Sequence, residues 1–288
     1  MSRTHKTVLV TGASRGIGRA TARYLSRAGM TVFAGVRASR DGEALEGEGD
    51  GIQSVAIDIS SDESVARAAQ EIEGLTAGRG LDGLVNNAGV GGSGPLEHVT
   101  REQLEHQFGV NVFGTLLTTQ AFLPQLRRAK GRIVNIGASN ARLSIPLMGV
   151  LSSTKFALEG LTDALRVELR RSGIRVCLIE PGMTYSDEDK PLFAASLDDE
   201  FTKALQTIPD EHQDYYRAAL ERARDFNRSM LDRANPAETV ARCVERALTS
   251  RRPRARYWSG LDGKLGGWVG QWAPAPVRDA LWGRIQGL

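Results

Sequence analysis

The chain has 288 residues, 41% hydrophobic and 25% charged, with a formal net charge of +3, the profile of a globular protein large enough to bury a substantial core. So small a charge excess gives no warrant for nucleic-acid binding. Two cysteines, Cys177 and Cys243, exclude a disulfide framework and suggest no metal cluster.

Short β-branched runs alternate with longer helical patterns. The N-terminus passes into a strand over Lys6–Val10 with no secretory apolar region, and no apolar run approaches a membrane span, so a cytoplasmic location is expected. A glycine-rich loop follows, then a helix over Arg19–Ala28. Strands are predicted at Thr31–Arg37, Ile52–Asp58, Leu81–Asn87, Gly131–Gly137 and Ile174–Gly182, and helices at Asp62–Leu75, Arg101–Arg128 and Ser153–Arg171. The strands are apolar throughout rather than alternating, as strands covered on both faces are. Repeated strand–helix units imply an α/β fold with a doubly wound parallel sheet in one domain, residues 1–258. Cys177, inside IRVCLIE, is expected to be buried packing.

Two late stretches break the repeat. Residues 184–232 are polar and helix-prone, with no predicted strand. Inserted after a late strand, they would lie over the carboxyl ends of the strands as a substrate lid, or form a plain surface helical pair. Residues 259–288 read as an amphipathic extension with two apolar stripes. One is Leu261, Leu265, Trp268, Val269 and Trp272; the other is Val277, Leu281, Trp282, Ile285 and Leu288. Arg251, Arg252, Arg254 and Arg256 precede them. The extension is expected to cover the substrate cleft or pack on another subunit, so a homo-oligomer is expected; peripheral docking on an anionic bilayer is the alternative. Either arrangement suits a bulky, largely apolar small-molecule substrate.

The segment VLVTGASRGIGRA sets Gly12, Gly16 and Gly18 after the first strand and at the opening of a helix. Glycines there let the chain turn tightly and let backbone N–H groups approach a pyrophosphate at the helix N-terminus.

TGASRGIG, then NNAG at Asn86–Gly89, Asn111 in VNVFG, Lys155, and PG at Pro181–Gly182 occur in one order and spacing. In this the chain resembles the short-chain dehydrogenase/reductase family from Lys6 to about Ser250. The resemblance implies a Rossmann fold and a nicotinamide cofactor. It places Gly12, Ser14, Arg15, Gly16, Ile17 and Gly18 on that cofactor, with Asp58 and Ile59 at the adenine. Asn87, Ala88 and Gly89 would line the nicotinamide-side ribose, and Lys155, Pro181, Gly182 and Thr184 complete the set. Where members that use NAD carry an acid at the end of the second strand, this chain has Arg37. With Arg15, it suits a 2′-phosphate held by paired hydrogen bonds, so NADP(H) is the expected cofactor.

The family's four catalytic side chains are Asn, Ser, Tyr and Lys. Asn111 and Lys155 match two of them. Four residues before Lys155, where the tyrosine belongs, stands Leu151, and thirteen further back Ala138 takes the serine's place. Neither can donate a proton or a hydrogen bond. Ser139 could supply the serine after a one-residue slip. Tyr185 is the nearest phenol in sequence to serve as acid, and His98 is another candidate. No metal is expected. The resemblance thus implies an oxidoreductase acting without the usual acid on a carbonyl, imine, iminium or conjugated acceptor. A non-redox cyclase or isomerase, and an NADP(H)-sensing protein without catalysis, stand as alternatives.

Overall fold

The computed structural model describes residues 5–139, 143–186 and 188–286. Its strands are β1 (Thr7–Thr11), β2 (Thr31–Val36), β3 (Ile52–Ala56), β4 (Gly83–Asn86), β5 (Arg132–Ile136), β6 (Arg175–Pro181), β7 (Thr184–Tyr185), β8 (Asn235–Pro236) and β9 (Arg256–Ser259). Seven of them form one parallel sheet in the order β3-β2-β1-β4-β5-β6-β9, while β7 pairs with β8 alone. The helices are α1 (Gly16–Arg27), α2 (Ser39–Glu46), α3 (Asp62–Leu75), α4 (Arg101–Phe108), α5 (Thr115–Ala129), α6 (Gly149–Glu168), α7 (Lys190–Thr207), α8 (Asp210–Leu231), α9 (Ala237–Thr249), α10 (Leu261–Trp272) and α11 (Ala275–Gln286).

Strand residues point alternately to the two faces, and helices cover both. Val8, Val10, Val32, Val134 and Ile179 pack with Leu25 of α1 and Val240 and Val244 of α9. Leu9, Phe33, Leu84 and Ile133 pack on the other face with Ile72 of α3 and Phe122 and Leu126 of α5. Two buried faces explain why the strands are apolar throughout. Cys177 lies in the first of these clusters, as expected.

The structure corrects several expectations. The long helix predicted over Arg101–Arg128 is two helices joined by a π-helical turn, Gly109–Gly114. Thr100 and Gln103 form a capping box that starts α4. The segment 184–232, expected to hold no strand, opens with β7 before its two helices. The elements α2, α9 and β9 were not predicted, and β9 runs across the boundary placed at residue 258.

The paired helices α7 and α8 enclose a small core of Ala204, Ile208, Ala219 and Leu220 against Leu147. Helix α11 packs on α8, burying Trp282, and Gln286 Nε2 donates to the Pro146 carbonyl at 3.3 Å. Helix α10 packs in the opposite sense to its apolar stripe. Gly263 and Gly267 form its buried side, where an added Cβ would come within 2.8 Å of the Gly182 nitrogen and of Trp258 Nε1 respectively. Glycines permit that close approach, and Leu261, Leu265, Trp268 and Trp272 are consequently exposed. Leu288 of the second stripe lies outside the described residues. Among the described residues no helix is long and apolar enough to cross a membrane.

Strand β9 is pinned by Arg256. Its Nη2 lies 2.7 Å from both Glu159 and Asp163 of α6, and its Nη1 lies 3.6 Å from Glu180 of β6. Glu159 and Glu180 are buried. Removing the cation takes away the guanidinium that these carboxylates share, a loss of about 3–5 kcal/mol. Arg256→Leu is expected to lower unfolding free energy by that amount in urea titrations; a loss below ~1 kcal/mol would show that the pair behaves as a solvated one.

Candidate active site

The sheet order reverses between β1 and β4, the position where open α/β sheets bind ligands beyond the strand ends. Here the two strand ends are tied together. Thr11 Oγ1 donates to the Val85 carbonyl at 3.3 Å and accepts the N–H groups of Asn87 and Ala88 at 3.0 and 3.1 Å. Asn87 Nδ2 donates to the carbonyls of Thr11 and Gly12 at 2.9 and 3.1 Å. The backbones are then too close for side chains. A Cβ at Gly12 would lie 2.8 Å from Ala88 Cα, and one at Gly18 would lie 2.1 Å from the Gly12 carbonyl oxygen.

Gly16 differs in having open space beside it, though its φ of +58° is left-handed like that of Gly12 at +63°. Helix α1 starts there with no side-chain cap from Arg15 and no acid in its first turn. The Gly16 N–H instead donates to Asp189 Oδ2, at 2.9 Å, from the segment before α7. A helix N-terminus that recruits a distant carboxylate is suited to anions. Ser14 is half-buried in the loop, and Ile17 packs on the core. The Ala13 N–H donates to the Gly35 carbonyl at 2.9 Å, which brings the loop against the end of β2 and Arg37. Asp58 accepts from Ser60 Oγ and N at 2.6 and 2.9 Å. Those bonds, helped by the Arg37 charge, hold its carboxyl below the usual range. Ile59 is buried.

The π-helical turn carries Asn111. Such turns offset the residues they hold from regular helical register. Asn111 Oδ1 accepts from Val90 N at 2.8 Å, while Nδ2 donates to the Val90 carbonyl at 2.9 Å and to Thr154 Oγ1 at 3.0 Å. Lys155 Nζ donates to the Ile136 carbonyl at 3.1 Å. A Cβ at Gly89 would lie 3.1 Å from Asn111 Oδ1 and 3.8 Å from Lys155 Nζ, so the three positions converge. Burial lowers the Lys155 ammonium from 10.5 to about 8.

Leu151 sits one turn before Lys155 on α6, on the same face. Its Cδ2 would lie 4.0 Å from a Cβ at Gly91. Beside Gly91 opens a cleft of about 310 Å³, bounded by Gly91–Gly94, by Gln103, His106 and Gln107 of α4, and by Glu200 and Ala204 of α7. A smaller cavity of about 80 Å³ continues between Pro146–Met148, α8 and Gln286. Ser139 lies under α10, its Oγ 3.7 Å from a Cβ built on Gly266.

Tyr185 and His98 make their described contacts with other elements. Tyr185 packs against the Phe193 ring at 4.2 Å, and burial, with the nearby Glu200 charge, pushes its phenol up, the reverse of activation. His98 faces α8, with its Nε2 3.1 Å from His212 Nδ1. At the far edge, Pro181, Gly182 and Thr184 form a turn in which Thr184 Oγ1 donates to the Gly182 carbonyl at 2.9 Å. Asp262 of α10 accepts the Met183 N–H at 2.7 Å and Asn235 Nδ2 at 2.6 Å, clamping that turn. Sequence reasoning gave no sign of Asp189 or Asp262, because each reaches the site from a distant element.

Residues 6–196 match the family described as short chain dehydrogenase. The chain belongs to the short-chain dehydrogenase family. It is 41% identical over 216 residues to the oxidoreductase YbbO of Escherichia coli K12, a match covering 72% of this chain and 79% of that one. It is 33% identical over 296 residues to retinol dehydrogenase 7 of Rattus norvegicus, covering 98% and 89%. Among solved structures, a short chain dehydrogenase from Burkholderia cenocepacia J2315 in complex with NADP is 26% identical with a TM-score of 0.72, covering 98% of this chain and 99% of that one. The protein is an oxidoreductase of the short-chain dehydrogenase type.

The lowered Lys155 pKa has a measurable consequence. Between pH about 8 and 10.5 the unfolded chain holds a proton on this lysine that the folded chain has released, so its contribution to stability rises with pH across that window. Compared with Lys155→Met, the cofactor-free wild type is expected to gain on the order of 2 kcal/mol over this range in denaturant titrations at stepped pH. A constant difference would place the ammonium in water.

Proposed function

We propose that this dehydrogenase transfers hydride between NADP(H) and a bulky, largely apolar carbonyl, iminium or conjugated substrate without a tyrosine acid. The observation that carries the reading is the face of α6, which presents Lys155 beside Asn111 and Gly89 with Leu151 one turn away.

The cradle fits a dinucleotide. Gly12 and Gly18 hold backbone where side chains cannot fit, and the start of α1, whose Gly16 N–H already holds the Asp189 carboxylate, suits the anionic pyrophosphate. The side chains of Arg15 and Arg37 are exposed, with no guanidinium hydrogen bond or ion pair to a described residue, although the Arg37 charge is felt by Asp58, and both can reach a 2′-phosphate. The Burkholderia cenocepacia relative bears NADP. When bound, the nicotinamide supplies or accepts the hydride. Lys155 and Asn111 would hold the ribose side, and Asn87 to Gly89 would line it. Asp58 and Ile59 would border the adenine.

At the reacting carbonyl this chain offers Leu151 and Ala138. A general acid contributes ~10²–10⁴-fold, and a carbonyl-polarising donor a further ~10²–10³. A substrate that needs no strong acid, such as a cationic iminium, avoids that loss. The name of the rat relative, retinol dehydrogenase 7, supports an apolar substrate. So do the α7–α8 pair, acting as a lid over the cleft, and α11, which closes its far end through Gln286.

Two experiments test the reading. Arg37→Asp is expected to abolish or invert a preference for NADP(H) over NAD(H) in calorimetry; equal affinity of the wild type for both would overturn the 2′-phosphate assignment. Leu151→Tyr with Ala138→Ser is expected to raise NADPH-dependent reduction of a generic activated ketone by more than about tenfold, since Lys155 and Asn111 remain to activate the phenol. Wild-type reduction of simple ketones at ordinary rates would overturn the missing acid. Turnover of native substrate with no change at the nicotinamide would favour a non-redox reaction.

A further inference from the structure

One group of side chains beside the cleft is not used by the proposed reaction. A single 3₁₀ turn, Leu96–His98, leads towards α4, and His212 stands in the first turn of α8. The two imidazoles meet edge to edge, with His98 Nε2 3.1 Å from His212 Nδ1. Glu97 Oε2 lies 3.8 Å from His98 Nε2, and Glu97 Oε1 lies 4.0 Å from His212 Nδ1. One ligand atom from each of the three residues falls within 4.8 Å of the other two.

These distances match a coordination shell. Nitrogen and oxygen ligands about 2.0–2.2 Å from a tetrahedral ion lie roughly 3.3–3.5 Å from one another. The imidazole pair is already near that spacing, and the carboxylate reaches it by a small rotation. The two carboxylate oxygens have separate tasks: Tyr216 Oη donates to Oε2 at 2.6 Å, which leaves Oε1 turned towards His212. An outer-shell hydroxyl on a ligating carboxylate is the usual support of such a centre. The Tyr216 ring also meets the His98 ring edge-on at 5.7 Å, fixing its orientation. A shared proton would join the two imidazoles without help from Glu97; a cation uses all three groups.

We propose that Glu97, His98 and His212 bind a divalent zinc-type cation, with water in the fourth position. Mixed imidazole and carboxylate ligands at this spacing favour Zn²⁺ over the all-oxygen cations. The ion would join the turn before α4 to α8. Val99 and Gln103, immediately beyond that turn, line the cleft, as does Ala204 of α7. The metal therefore clips the α7–α8 pair onto the wall of the cleft and restrains its opening. This inference is independent of the proposed reaction. No local sequence spacing reveals it, because residues 97 and 98 meet residue 212 only in the fold.

The test is titration of the full chain, stripped with chelator, with Zn²⁺ by calorimetry and with Co²⁺ by absorption. One equivalent is expected to bind with a dissociation constant below about 100 µM, and Co²⁺ should show the intense visible bands of a tetrahedral site. His212 is only partly buried on α8, and His212→Ala keeps a helix-favouring residue there. That variant should lose about 100-fold or more in affinity, and Tyr216→Phe about 10-fold. His5→Ala, remote from the group in sequence, should change nothing. Zn²⁺ should also slow amide exchange in the first turns of α8 in the wild type and not in His212→Ala. Absence of saturable binding in this range overturns the site. So does unchanged affinity in both His212→Ala and His98→Asn, which would make any metal an adventitious surface ion and the imidazole contact a plain hydrogen bond.

Discussion

The joint between Thr11 and Asn87 sets the geometry on which the rest of the site depends. One hydroxyl and one carboxamide satisfy the backbone where β1 and β4 end, at the point where the sheet changes direction. Because the strand ends are held so closely, Gly12 and Gly18 have no room for a Cβ, and the chain leaves β1 in a turn only glycines allow. That turn aims the start of α1 at the space above the sheet. The same joint fixes the course of Ala88 and Gly89, and with it the place where Asn111 and Lys155 meet the chain.

The neighbourhood of Lys155 follows from what surrounds it. Its amine is bonded to one backbone carbonyl, with Leu151 a turn away offering only hydrocarbon. A phenol there would share in solvating the charge; leucine does not. Burial therefore acts on the ammonium with little opposition. A hydroxyl brought beside this amine would offset part of that cost.

How far the sequence could be read varies along the chain for physical reasons. Strands such as VLV and IVNI were legible because burial on both faces leaves no polar alternation to confuse. The helix over Asp62–Leu75 was legible to its last residue, with Ser61 as its cap. Strand β9 was not: RYWS is short and mixed, and its place depends on Arg256 meeting carboxylates from α6 and β6. The π-helical turn was hidden because Gly109–Gly114 keeps the general character of a helix. The glycine loop was visible from its spacing, and Asn111 and Lys155 through the family resemblance, whereas Asp189 and Asp262 act only by tertiary approach. In α10 the apolar stripe misled, since glycines on the opposite side make the tighter contact.

That arrangement of α10 determines what an optical measurement on this protein would see. Trp258, Trp268, Trp272 and Trp282 are its four tryptophans, and none lies in β1 to β6 or in the helices between them. Trp268 and Trp272 are exposed, while Trp282 is buried against the neighbouring helices. Intrinsic emission therefore records the carboxyl-terminal segment, with a red-shifted share from the outward indoles and a blue-shifted share from Trp282. Of the sheet it sees only β9, through Trp258; strands β1 to β6, which hold most of the core, are dark to it. A chain whose last two helices detach while the sheet stays folded would lose the blue-shifted share contributed by Trp282 and still look nearly intact by far-ultraviolet circular dichroism.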